Sequence, residues 1–160
     1  MVSKQDYNNY LAKKTAELIR ENFANKEVTN LLVVKLGKRW KRTLGHIKTL
    51  KEREYGSLIE INPLLFDPEV PEYVLDYVIM HELTHYFQGF GSNHEKKHKH
   101  PHRGKVVEKE LARLGWEEIY KKADKWLKEN WAKILHKNGL NPAVKRKRRR
   151  HNKWLFFNGF

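Results

Sequence analysis

Cysteine is absent from the 160-residue chain. That excludes a disulfide framework, a thiol nucleophile and a cysteine zinc ribbon, so a transition metal would have to be held by histidines and carboxylates. Long apolar runs are missing too: no stretch approaches the roughly 20 apolar residues of a membrane span, and Met1 to Asp6 shows no basic start leading into one. No membrane partner is expected, and the simplest location is intracellular, either cytoplasmic or associated with the nucleoid or nucleus. Acidic residues are missing from one end: residues 137–160 hold 8 of the 33 Lys and Arg and none of the 19 Asp and Glu. A strongly basic end of this kind points to an electrostatic partner, nucleic acid before others.

The remaining composition suits one folded unit. We expect a domain over residues 1–142 and a basic tail over residues 143–160 with an apolar end. From Gln5 to about Ala24, Tyr7, Leu11, Leu18, Ile19 and Phe23 recur at helical spacing among lysines and glutamates, the stripe of an amphipathic helix. Leu31 to Val34 reads as a buried strand, and Trp40–Leu50 and Ser57–Asn62 as two more, joined by a hairpin loop over Lys51 to Gly56. Pro71 is placed to start a long helix over Glu72 to Gln88, which Gly89 and Gly91 close. The segment Ser92 to Arg103 holds His94, His98, His100 and His102 and is broken by Pro101, so it reads as a mobile loop. Helical period returns at Val107 and again from Ile119 to Ile134, with Trp126 on the apolar stripe. The expected architecture is α+β: a small antiparallel sheet packed on the 72–88 helix, with the N-terminal and C-terminal helices completing the core.

The chemistry concentrates in His81-Glu82-Leu83-Thr84-His85. Residues four apart lie one turn above each other on a helix, so His81 and His85 present two imidazoles to one ion, here Zn2+. Glu82 beside them is placed to act as general base on a zinc-activated water. Val74, Leu75, Val78, Ile79, Leu83, Tyr86 and Phe87 make the surrounding helix apolar, and burying His, Glu and His there without a metal would leave polar groups costly to satisfy. A catalytic zinc takes three protein ligands, so one more is needed. His102, directly before Arg103-Gly104 and the next helix, is the preferred third ligand; Glu108 or Glu110 on that helix is the alternative. His94, His98 and His100 read as loop residues. Trp40, flanked by Lys38, Arg39, Lys41 and Arg42, reads as a packing residue rather than a base-stacking one, and His46 as structural.

Four segments together resemble one family. They are Arg42 to Ile47 leading into a hairpin, Ile59-Glu60-Ile61-Asn62 with Leu64-Leu65, Val74 to His85, and His102-Arg103-Gly104-Lys105-Val106. The chain is similar over roughly residues 7 to 116 to the SprT-like metallopeptidases, which include the Spartan proteases that digest proteins crosslinked to DNA. The resemblance implies a minimal zincin-like domain and a zinc-dependent endopeptidase. It also implies a third ligand from a His-Gly-x-x-aromatic pattern, which here would be His102. This chain departs from the pattern, with Arg103 inserted before Gly104 and Val106 in the aromatic position. It also lacks the cysteine zinc ribbon that many members use on DNA. The run Lys145, Arg146, Lys147, Arg148, Arg149 and Arg150 is expected to bind nucleic acid, DNA foremost, without sequence preference. Beyond it Trp154-Leu155-Phe156-Phe157 is too apolar to stay solvated and is expected to dock. The rival reading is a nucleic-acid-binding protein with a structural or vestigial metal and no proteolysis; only the enzyme needs Glu82.

Overall fold

The computed structural model describes residues 2–50 and 56–141. The expected hairpin loop at 51–55, the basic run at 145–150 and the apolar residues 154–157 lie outside the described residues.

Helix α1 (Lys4–Asn22) starts at a reciprocal cap: the Asp6 amide donates to Ser3 Oγ at 3.1 Å and the Ser3 amide donates to Asp6 Oδ2 at 2.8 Å. Two donors that a helix start leaves open are thereby satisfied. Leu11, Thr15 and Leu18, spaced by four and three, form its buried stripe. After it, Phe23 stacks on Phe87 with ring centroids 4.5 Å apart.

Three strands come next, β1 (Leu32–Leu36), β2 (Gly45–Leu50) and β3 (Gly56–Ile61), in the spatial order β1-β3-β2. β2 and β3 pair antiparallel, as a hairpin should. β1 and β3 pair parallel, so the sheet is mixed and the expected all-antiparallel sheet is corrected. The cause is the connection over residues 37–44, which carries the chain past one strand position and leaves β3 to fill the middle. Asn62 fixes that connection. It is fully buried, its Nδ2 donates to the carbonyls of Trp40 (2.8 Å) and Thr43 (2.9 Å), and its Oδ1 accepts from the Leu64 amide (3.0 Å). Residues 40–44, expected as strand, are therefore held as an ordered turn. Replacing Asn62 by alanine leaves these groups without their partner, and we expect a loss of about 1–3 kcal/mol in urea unfolding with the spectrum of the fold retained.

The two sheet edges differ. At β1 the Leu36 amide donates to Asn8 Oδ1 of α1 at 2.8 Å, so α1 covers that edge. At β2 no described strand pairs with the outer side. One face of the sheet, with Ile47, Ile59 and Ile61 inaccessible to solvent, packs on helix α2 (Glu72–Phe87). α2 is buried almost all round, from Val74 to Phe87 with Asp76 the exception. Helices α3 (Val106–Arg113) and α4 (Glu117–Lys137) close it from the other side through Val107, Leu111, Leu127, Trp131, Ile134 and Leu135. Trp131, 3 % exposed, is deeper than the half-buried Trp126, because the α4 stripe that meets the core runs through 127, 131 and 134. No helix among the described residues is long and apolar enough to cross a membrane.

Candidate metal centre

α2 carries His81, Glu82 and His85 at its buried centre, each 2–3 % exposed. One turn of helix separates the imidazoles, and their Nε2 atoms stand 3.1 Å apart. Two nitrogens bound tetrahedrally to zinc at about 2.05 Å are separated by roughly 3.3 Å, so the pair is already near the span a single ion requires. The third imidazole comes from His102, which ends the 88–102 loop ahead of a 3-10 turn at Arg103–Lys105. Its ring centroid is 4.6 Å from that of His85 and 5.7 Å from that of His81. One nitrogen from each of His81, His85 and His102 lies within 4.8 Å of the others, close enough for all three to bind one metal ion.

The donors suit a divalent transition metal. Burial holds the basicity of His81 well below the ordinary imidazole range, with His85 and His102 adding to it, and brings His85 down to about 3. Both rings are therefore neutral at physiological pH, the form that binds a metal. His85 Nδ1 is buried without a hydrogen-bond partner among the described residues.

Among the remaining candidates, Glu110 is committed elsewhere: it accepts from Lys26 Nζ at 3.1 Å and from Arg113, which with Lys26 holds its carboxyl down at about 2. Glu108 does not join the cluster, and neither do His94, His98 or His100. His94 instead packs edge-on to Tyr86, 5.0 Å away. His46 points to the opposite face of the sheet, where its Nε2 is 3.0 Å from Glu60 and its ring meets Trp40 edge-on at 4.9 Å.

The loop that delivers His102 is fastened. Ser57 Oγ donates to the Gly91 carbonyl at 2.7 Å, Ser92 Oγ to the Tyr86 carbonyl at 2.6 Å, and the Lys97 amide to the Gln88 carbonyl at 3.1 Å. Gly89, at φ +83°, is required there, since a Cβ would stand 2.5 Å from the Glu95 carbonyl oxygen. The expected loop is present, and its start, residues 91–97, is tied to the end of α2 and to β3.

Two residues bearing on the site are not singled out by the sequence pattern. Tyr77 lies one turn before His81, its ring centroid 6.1 Å from that imidazole; the four-residue spacing Tyr77, His81, His85 was its available signal. Gly45 opens β2 against the general-base candidate: a methyl there would sit 2.9 Å from Val78 Cγ1 and 3.2 Å from Glu82 Cγ. Glu82 is wholly enclosed, and burial alone pushes its carboxyl up to about 8. The edge of β2 that no described strand pairs with therefore begins beside the general-base candidate. In comparisons with known proteins, the chain matches no family model, no curated protein and no solved structure.

Proposed function

We propose that this chain is a zinc-dependent endopeptidase of the SprT-like type, acting on proteins bound or crosslinked to DNA. The observation that carries the reading is the convergence of three imidazoles from two separate segments beside one enclosed carboxyl. His81, His85 and His102 would hold the metal. Zinc at such a site supplies a Lewis acid that polarises a peptide carbonyl and makes water acidic near neutrality.

The chain's own residues do the rest. In its carboxylate form, which a cation held beside it by the three imidazoles would favour over the buried acid, Glu82 accepts the proton as water attacks the carbonyl carbon, and returns it to the departing amine nitrogen as the C–N bond breaks. Its enclosure between Gly45 and α2 keeps bulk water from competing for that proton. The edge of β2, unpaired among the described residues, offers backbone donors and acceptors to an extended substrate, which would add as a further strand and bring its carbonyl past Gly45 to Glu82. The basic run at 145–150 supports action near nucleic acid.

The test uses the full chain, loaded with zinc, on an unfolded protein substrate with and without single-stranded DNA. We expect one zinc per chain, cleavage that a chelator abolishes and zinc restores, and stimulation by DNA that fades as salt displaces the cationic contacts. A fully zinc-loaded chain that cleaves neither free nor DNA-bound protein overturns the reading.

A further inference from the structure

A second feature lies away from the imidazoles, at the other end of α2. Between the first turns of α1 and the segment leading into α2 runs a groove of about 420 Å³, lined by Tyr7, Tyr10, Leu65, Phe66, Val70 and Leu75. Phe66 forms its aromatic floor, with Tyr7 4.6 Å and Tyr10 5.9 Å away between ring centroids. Four large hydrophobic side chains are exposed among the described residues, and two of them, Val2 and Tyr10, line this groove. Leu75 is six residues before His81, about 9 Å along the helix axis, and the rest of the groove lies further from the histidines still, so an occupant here would not plug the metal centre.

The rim is acidic in a chain whose net charge is +14. Asp6, Asp67 and Glu72 line the groove itself, and Glu69 and Asp76 stand beside them, Glu69 sharing Lys137 with Asp67 and Asp76 sharing Lys14 with Glu72. The end of α4 is anchored at the same place: Lys137 Nζ is 2.9 Å from Asp67 Oδ1 and Asn138 Nδ2 donates to Asp67 Oδ2 at 3.0 Å. The chain thus leaves the described residues at 141 beside the groove.

The C-terminal segment has the complementary chemistry. Residues 142–160 contain seven Lys and Arg, no carboxylate side chain, and the aromatic cluster Trp154-Leu155-Phe156-Phe157. The 13 steps from Asn141 to Trp154 reach roughly 40 Å when extended, ample for a groove against which α4 is already tied. We propose that this groove is the docking site of residues 154–157 of the same chain, with the basic run 145–150 lying along the acidic rim. Apolar surface on both partners is removed from water, and opposite charges set the direction of approach. The proposal needs neither zinc nor cleavage, but it draws on the same basic run 145–150 that the proposed function gives to nucleic acid, so DNA would compete with the groove's rim for it.

The absence of cysteine makes the test clean. In the full chain, Tyr10→Cys is combined with Phe156→Cys and oxidised with glutathione disulfide. The control combines Phe156→Cys with Lys125→Cys, an exposed position partway along α4. We expect the intramolecular disulfide of the first pair to form at least about ten times faster than that of the control. Pro68→Cys, exposed on the groove's rim, is the second variant should Tyr10→Cys impair folding. Equal rates for groove and control overturn the proposal. Disulfides formed only between two molecules overturn it as well, since the occupant is then a second copy's segment. Protection of the groove cysteine without crosslinking to position 156 assigns the groove to another part of the chain and has the same consequence.

Discussion

Replacing Glu82 by glutamine is expected to lower peptidase turnover by at least about 10² while leaving zinc content and melting temperature at wild-type values. The separation comes from the residue's surroundings. Glutamine has nearly the same shape, so it keeps the tight contact with Gly45 and the packing inside α2. Burial is what shifts the carboxyl, and among the described residues it makes no ion pair that an amide would disturb. What glutamine cannot do is accept a proton from the attacking water. Single-turnover cleavage, with zinc measured on the same sample, reads both halves. Undiminished cleavage sinks the proposed role of Glu82, and loss of zinc makes it a structural residue instead.

The second large effect concerns His102. It is the most exposed of the three imidazoles, partly open where His81 and His85 are buried, so its removal is the cleanest change to the donor set. His102→Ala should leave the melting temperature of the zinc-free chain almost unchanged and weaken zinc binding by at least about 10². Removing a ligand from an ion with three protein donors costs far more than the 10–100-fold typical of an outer-shell partner. The difference shows in stability as well. Zinc at a thousand times its dissociation constant adds about 4 kcal/mol to the wild-type fold, and the variant at the same zinc concentration should keep a small part of that gain. If Glu108→Ala strips the metal and His102→Ala does not, the donor set is misassigned.

The helices were legible because each repeats one signal over several turns, as Leu11, Thr15 and Leu18 do in α1. His81, Glu82 and His85 were legible as a group because a helix brings i and i+4 together wherever it lies. The sheet order was not. The turn between β1 and β2 is held by Asn62 reaching the carbonyls of Trp40 and Thr43, contacts made 22 and 19 residues away. Nothing local in the sequence announces them. The same holds for Gly45, whose need for a bare backbone arises from Val78 and Glu82 across the interface. The segment 92–103 was legible as a loop from its composition, but the bonds from Ser92 and Lys97 to the Tyr86 and Gln88 carbonyls were not, since those partners lie outside it.

Helix α2 packs against the sheet on one side and α3 and α4 on the other, and this bears on how its amides exchange hydrogen with solvent. Its central two turns, residues 78–85, have no exposed face through which the backbone can open alone. Their amides should therefore exchange only when the whole domain unfolds, among the slowest in the chain, whereas those on the unpaired side of β2 exchange by local fluctuation. A centre so placed is rigid by construction. Of the elements around it, the outer edge of β2 can vary without moving a histidine, whereas the 88–102 loop carries His102 and is tied to the same rigid frame.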